Sequence, residues 1–314
     1  MLKKNIISTL LISALLLAGC ANNGENGSAS SAQNETSSAE SEVAEVRTPD
    51  FTNLTYDNGS GRMGDTDGPA YVVYSKKGFN KATVDIRLSA VEVKNVKKNN
   101  RFVNAYIFLG IDVYDANGYW INCADAGLCY SGRNGYWHLF YNIYKPKTEG
   151  AQSWYESKVK LDASHDYRLI LDSSEEDKKV IITIYDLTDD KVADSKEFGI
   201  AHSLASGANT SFLQNYALDY PEDVKFDTKG NPSANDWVEI TLFNTDQGLY
   251  MKNVEITRAT LANGDNEVDW TEEHTSNRAM WPDKNIAIDY EVVKVYKESF
   301  DNAFTVTFDM NRRK

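Results

Sequence analysis

The chain has few of the residues that carry most metal and nucleophile chemistry. Only three Cys and four His occur in 314 residues. The histidines His138, His165, His202 and His274 are scattered, with no H-x3-H pair for zinc. No G-x-S-x-G elbow and no glycine-rich phosphate loop is present, so two familiar routes to hydrolase and nucleotide chemistry are closed. Basic charge is also scarce. A formal net charge of −13 excludes the basic footprint that nucleic acid requires. Helical periodicity is rare, which argues against a transporter's solute-binding protein with two α/β lobes. No internal repeat marks a propeller or solenoid. Beyond the first twenty residues there is no long apolar run.

The first twenty residues, MLKKNIISTLLISALLLAGC, have the order of a signal peptide. Lys3 and Lys4 precede a mostly apolar run from Ile6 to Leu17, which is short for a bilayer core of about 30 Å. Leu17-Ala18-Gly19-Cys20 resembles the bacterial lipobox, which implies that Cys20 receives a diacylglycerol and becomes the mature N-terminus. Acyl chains such as palmitate, two or more together, give stable anchoring where one does not. Residue 21 is Ala, not the Asp that retains Gram-negative lipoproteins at the inner membrane. The expected location is extracytoplasmic, at the cell surface of a bacterium, with the membrane as a partner through the lipid. Residues 20–48 are rich in Gly, Ser, Asn, Ala and Glu without an aromatic, the composition of a flexible tether. At about 5–6 Å × √n, such a tether reaches roughly 30 Å.

Residues 49–314 read as an all-β domain: a main body at 49–264, then closing strands or a small appendage at 265–314. Thr83–Leu88 alternates apolar and polar residues, and Phe102–Val113 suits a strand buried on both faces. Further strands are expected at Tyr136–Tyr144, Tyr167–Leu171, Val180–Leu187, Trp237–Phe243, Leu249–Leu261, Ile286–Val295 and Phe304–Phe308. Asp57-Asn58-Gly59, Asn117-Gly118 and Asn263-Gly264 are turn signals between them. Ala205–Tyr220 is read as a short helix or an ordered loop. The expected fold is an antiparallel two-sheet, jelly-roll-like sandwich.

The run DYRLILDSSEEDKKVIITIYDLTDDKVADSKEF (Asp166–Phe198), followed by WVEITLFN and GLYMKNVEITRATL, resembles the concanavalin A-like lectin and glucanase sandwich, which includes laminin-G-like modules. The resemblance covers Tyr71–Leu261. It implies glycan binding or cleavage on the concave face of one sheet, with calcium a possible but not required ion. The glucanases of that family carry a Glu-x-Asp-x-x-Glu run, and this chain has none. Glu92, Asp112, Glu239 and Glu255 fall in expected strands without a matching acid, and Asp236 and Glu239 point to opposite faces.

The richest stretch is Asn117–Tyr144, NGYWINCADAGLCYSGRNGYWHLFYNIY, with two Trp, five Tyr and one Phe. Aromatics with polar tips suit sugars: the C–H face of a pyranose stacks on the ring and hydroxyls meet polar groups at its edge. Trp120, Tyr136, Trp137 and Trp154 are the candidate platform, with Asp125, Arg133 and Asn134 as hydrogen-bonding partners. The same residues also serve as sandwich filler. Alternation sends Tyr136, His138, Phe140, Asn142 and Tyr144 one way, and Trp137, Leu139, Tyr141 and Ile143 toward the core. With Cys20 lipidated, Cys123 and Cys129 remain as an even pair, and in an oxidising compartment a disulfide is expected. Asp112-x-x-Asp115-x-Asn117 and Asp186–Asp190 lack the oxygen spacing of a calcium loop. The loop Ser211–Asp227, with Phe212, Tyr216 and Tyr220, is a second candidate region. The leading expectation is non-catalytic binding of an extracellular glycan. The alternatives are a hydrolase or lyase of the same fold, and an adhesive envelope protein that binds protein partners. No motif sets an oligomeric state.

Overall fold

The structure is a computed structural model, and it describes residues 54–56, 68–98, 101–144, 153–204, 209–219, 248–281, 292–297 and 303–310. Cys20, the signal segment, the tether, Asp57–Gly59, Tyr220, Asp236 and the expected strand Trp237–Phe243 lie outside them, as does most of Ile286–Val295. Val46–Lys314 forms one compact unit.

Two large sheets make a sandwich. The strands in chain order are β1 (Leu54–Tyr56), β2 (Ala70–Ser75), β3 (Lys81–Arg87), β4 (Glu92–Lys94), β5 (Lys97–Lys98), β6 (Arg101–Phe102) and β7 (Ala105–Tyr114). Then come β8 (Trp120–Ser131), β9 (Tyr136–Ile143), β10 (Trp154–Glu156), β11 (Tyr167–Asp172), β12 (Lys179–Asp186) and β13 (Lys191–Gly199). The remainder are β14 (Thr210–Leu218), β15 (Tyr250–Asn263), β16 (Asn266–Asp269), β17 (Thr275–Trp281), β18 (Val293–Lys297) and β19 (Phe304–Asp309). One sheet runs β1-β17-β2-β14-β7-β8-β9-β10, and the other runs β13-β12-β11-β3-β15-β19-β18 with β4 and β16 on β15. β5 and β6 form a separate two-stranded ribbon. Pairing is antiparallel except between β1 and β17. Only two 3-10 turns supplement the strands among the described residues.

Strict period-two patterning builds the core between the sheets. β12 (KVIITIYD) buries Val180, Ile182 and Ile184, while its alternate residues reach solvent on the other side. From the opposite sheet come Ile107, Leu109 and Ile111 of β7, Ala124, Ala126 and Leu128 of β8, and Trp137, Leu139, Tyr141 and Ile143 of β9. The aromatics Tyr71, Phe304 and Tyr216 meet edge to face, with centroids 5.6–5.8 Å apart. The tail after Gly264 belongs to the sandwich: β17 completes one sheet, and β18 and β19 the other.

One element departs from its expected form. The described part of Ala205–Tyr220 includes β14, a strand central to its sheet between β2 and β7. Its sequence, TSFLQNYAL, mixes polar residues into both faces and hides the alternation. Phe212 and Tyr216 nevertheless enter the core, and the Tyr216 hydroxyl donates to Gln214 Oε1 at 2.7 Å. Burial of that polar pair is what the strand position requires.

Candidate functional site

β7 through β10 and β14 also carry residues on the face turned away from the core. Cross-strand register places them in rows. Asn215, Phe108, Gly127 and Phe140 form one row, and Leu213, Gly110, Asp125, Asn142 and Trp154 the next. These rows enclose a cavity of about 240 Å³, lined by Ala70, Tyr106, Phe108, Asp125, Phe140, Asn142, Trp154, Asn215, Ala217 and Asp219.

Four aromatic rings make its apolar part. Phe108 and Phe140 meet edge to face at 5.5 Å over Gly127, and Tyr106 packs on Phe140 at 5.2 Å. Trp154 leans on Phe140 at 5.4 Å and stays 39 % exposed. Its indole N–H donates to Glu156 Oε1 at 3.0 Å, which fixes the ring's orientation. At the other end, the Tyr106 hydroxyl accepts from Asn104 Nδ2 at 3.2 Å and hydrogen-bonds the Asp219 carboxylate. Burial, reinforced by Asp219, pushes the Tyr106 phenol far above its ordinary range, so it serves as a neutral donor. Among the described residues, Asn215 Oδ1 is buried without a partner.

Beside the aromatics, Cys129 of β8 faces His138 of β9. His138 is 1 % exposed, and neither ring nitrogen has a hydrogen-bond partner. Its Nε2 lies 3.6 Å from Glu156 Oε2, beyond good hydrogen-bond length. Burial holds the imidazole below its usual pKa despite Glu156, and burial likewise raises the Cys129 thiol. Both are neutral packing groups near pH 7.

The expected site residues divide. Asp125 and Trp154 line the cavity. Trp120 donates from Nε1 to Asp112 Oδ1 at 2.7 Å and packs beside Tyr144 at 5.8 Å, an extension of the same face two rows past Asp125. Tyr136 is on this face at the far end of β9, against His138 at 5.7 Å. Trp137 is not a platform residue: it is 2 % exposed in the main core, packed on Tyr130 at 5.3 Å. Arg133 and Asn134 are not partners of the cavity either. They sit in the turn between β8 and β9, eight residues along from Asp125 and Asn142, or more than about 20 Å at the usual strand rise. There the Arg133 guanidinium lies over the Phe102 ring at 4.4 Å, and Asn134 N–H donates to Ser131.

The expected disulfide is also corrected. Cys123 and Cys129 are not bridged to each other: they lie on one extended strand, six residues apart. That is again about 20 Å at the usual strand rise, against the roughly 4.4–6.8 Å between Cα atoms that a bridge needs.

Sequence reading missed Tyr106 and Phe108, hidden in a run apolar on both faces, and Asn215, Ala217 and Asp219, hidden in the unrecognised β14. Phe140 and Asn142 were visible as the outward set of β9. Both acidic loops use carboxylates in local hydrogen bonds. Asp115 Oδ1 accepts backbone N–H groups of Asn117 and Tyr119, and Gly118 takes φ 83° to close the turn. His165, Asp186 and Asp189 come together. Asp186 already accepts from Thr188 N–H and Asp189 N–H through Oδ1, and its Oδ2 lies 2.8 Å from His165 Nδ1. Among the strand acids, Glu255 pairs with Arg87 at 2.9 Å and Glu92 with Lys94 at 3.3 Å.

No protein-family model and no curated protein matches this chain. Among solved structures, tailspike protein 2 of the Escherichia coli O157:H7 bacteriophage CAB120 aligns with 60 % of this chain and 21 % of its own, at 11 % identity and a TM-score of 0.27. The chain thus spans about a fifth of that protein's length, and a likeness this slight carries nothing about function.

Proposed function

We propose that this is a lipoprotein, anchored through Cys20 at a bacterial cell surface, whose concanavalin A-like sandwich holds an extracellular glycan without cleaving it. The observation that carries this reading is the cavity on the outer face of the eight-stranded sheet. It sets an exposed indole edge, three further aromatic rings and four side chains with amide or carboxylate groups around one concavity. Flat apolar surface edged by hydrogen-bonding groups is what a pyranose ring requires. A volume near 240 Å³ suits one sugar ring with its neighbours lying along the face toward Trp120. The reading requires no cofactor and leaves calcium a possible ion.

Tryptophan fluorescence of the full chain, titrated with a panel of polysaccharides, tests the reading. Trp137 and Trp270 are each 2 % exposed, so Trp154 is well placed to report on the ligand. A saturable shift with one glycan is the expected result; silence across the panel would turn attention to protein partners. Asp125 and Asp219 on one cavity favour a second reading, hydrolysis by paired carboxylates. New reducing ends in the same tubes would establish it. For the anchor, Cys20→Ser should move the chain from the detergent phase to the aqueous phase on phase separation. Equal partitioning of the two forms would rule out the lipid.

A further inference from the structure

The exposed indole of the cavity is held by a carboxylate that faces two ways. Trp154 and Glu156 are two residues apart on β10, so their side chains leave the strand on the same side. Glu156 Oε1 accepts the Trp154 indole N–H at 3.0 Å, and Oε2 lies 3.6 Å from His138 Nε2. The two neighbours of the indole differ in freedom. The His138 side chain is 2 % exposed within β9, whereas that of Glu156 is 43 % exposed on an edge strand. Among the described residues, neither His138 nitrogen reaches a partner at hydrogen-bond geometry. Native proteins seldom leave a buried polar group unserved.

We infer that Glu156 and His138 are positioning residues for the Trp154 indole, and that a proton on His138 draws the carboxylate away from it. Among the described residues, the carboxylate that acts on the imidazole is Glu156. Cys129 faces the ring from β8 and is kept neutral by burial, with Tyr106 and Asp219 acting on the thiol from behind. Tyr136 meets it edge to face on its own strand at 5.7 Å. The segment after β10 hydrogen-bonds to β9 and carries Lys158 and Lys160, with Lys160 5.8 Å over the Tyr136 ring. A charge on a buried imidazole is costly unless an anion meets it, and Glu156 is free to do so. Closing the gap to the about 2.7–2.9 Å of a charge-assisted bond moves the carboxylate by about 0.8 Å. The indole bond, already 3.0 Å, then passes the limit of about 3.2 Å for a good N–H···O contact. Burial outweighs the pull of Glu156 and of the Tyr136 backbone, so the imidazole titrates below its ordinary value. The ring is neutral at pH 7 with the indole held, and takes its proton as the pH falls. The consequence for affinity rests on the glycan reading of the cavity; the relay itself does not.

The test first follows Trp154 without a ligand. Fluorescence and acrylamide quenching of the full chain are recorded from about pH 8 to about pH 5, above the ordinary carboxylate range. Spectra of Trp154→Ala under the same conditions are subtracted to isolate the one indole. The difference signal should change in a single step below about pH 6.5 and be absent in His138→Leu. In Glu156→Gln the amide oxygen still accepts the indole N–H but carries no charge, so the step should vanish or move to lower pH. A difference signal that is flat in wild type overturns the inference. So does a step of unchanged midpoint in His138→Leu or in Glu156→Gln, the latter an exposed edge-strand variant that keeps the test open if His138→Leu does not fold. Titration with a polysaccharide that binds at neutral pH then reads the site. Affinity should fall roughly three- to tenfold by about pH 5, the loss of about one hydrogen bond, and stay level in His138→Leu. Affinity that ignores pH overturns the control of binding. If no polysaccharide binds while the Trp154 step persists and is lost with His138→Leu, the relay stands and the glycan reading falls.

Discussion

Trp154→Ala should abolish measurable glycan binding while leaving the thermal unfolding transition nearly in place. The indole is the exposed member of the aromatic group and sits on a three-residue edge strand. Its loss removes stacking surface without opening the core. Tryptophan anchors in binding sites commonly carry about 2 kcal/mol or more, a loss of at least roughly thirtyfold in affinity. Trp137→Ala should do the reverse. That side chain is in the main core cluster against Tyr130, and deleting a buried Trp costs about 3–5 kcal/mol. In a domain of this size the transition should fall by on the order of 10 °C. Any protein still folded should bind normally. Calorimetric unfolding and glycan titration on both variants check the contrast. Equal stability losses in the two, or binding lost with Trp137 in a protein still fully folded, would contradict the assignment of Trp137 to the core and Trp154 to the site.

Gly127→Ala should damage both stability and site. Gly127 lies in β8 between Phe108 of β7 and Phe140 of β9, on the outer face. A Cβ there would stand 2.6 Å from Phe108 Cα and 2.7 Å from Ile107 O. Both are backbone atoms, so the strands would have to separate rather than a side chain swing aside. Overpacking of this kind costs about 1–3 kcal/mol, occasionally more. The shift would also part the Phe108–Phe140 ring pair that floors the cavity. We expect a lower unfolding midpoint and weaker glycan binding together. Gly118→Ala, in an open turn with no atom within 4 Å of its Cβ, is the control. Its cost should be confined to the strain of φ 83°. A Gly127→Ala protein as stable and as active as wild type would show that the cavity floor tolerates displacement.

The strands that sequence resolved best have one buried face and one solvated face. β12 is the example, since period-two alternation is then a direct print of the core. β7 was recognisable as a strand, but both its faces are apolar, so nothing in AYIFLGIDVY says which residues face the core. Tyr106 and Phe108 could therefore be found only from their neighbours. β14 failed for the opposite reason: its polar residues Thr210, Ser211 and Gln214 are buried, which removes the contrast that marks a strand.

The sequence by itself determined the all-β character, the two-sheet sandwich and the inward set Leu139, Tyr141 and Ile143. It also limited the chemistry through its scarcity of His, Cys and basic charge. These follow from local periodicity and composition. The tertiary structure alone decided that Asp125, Asn142, Asn215 and Trp154 share one face. It equally decided that Cys123 and Cys129 stand too far apart to bond. The first outcome depends on strand order and register, the second on β8 running extended from Trp120 to Ser131. Residues about a hundred positions apart become neighbours only when β14 pairs with β7, because backbone hydrogen bonding between strands carries no trace in the local pattern of either.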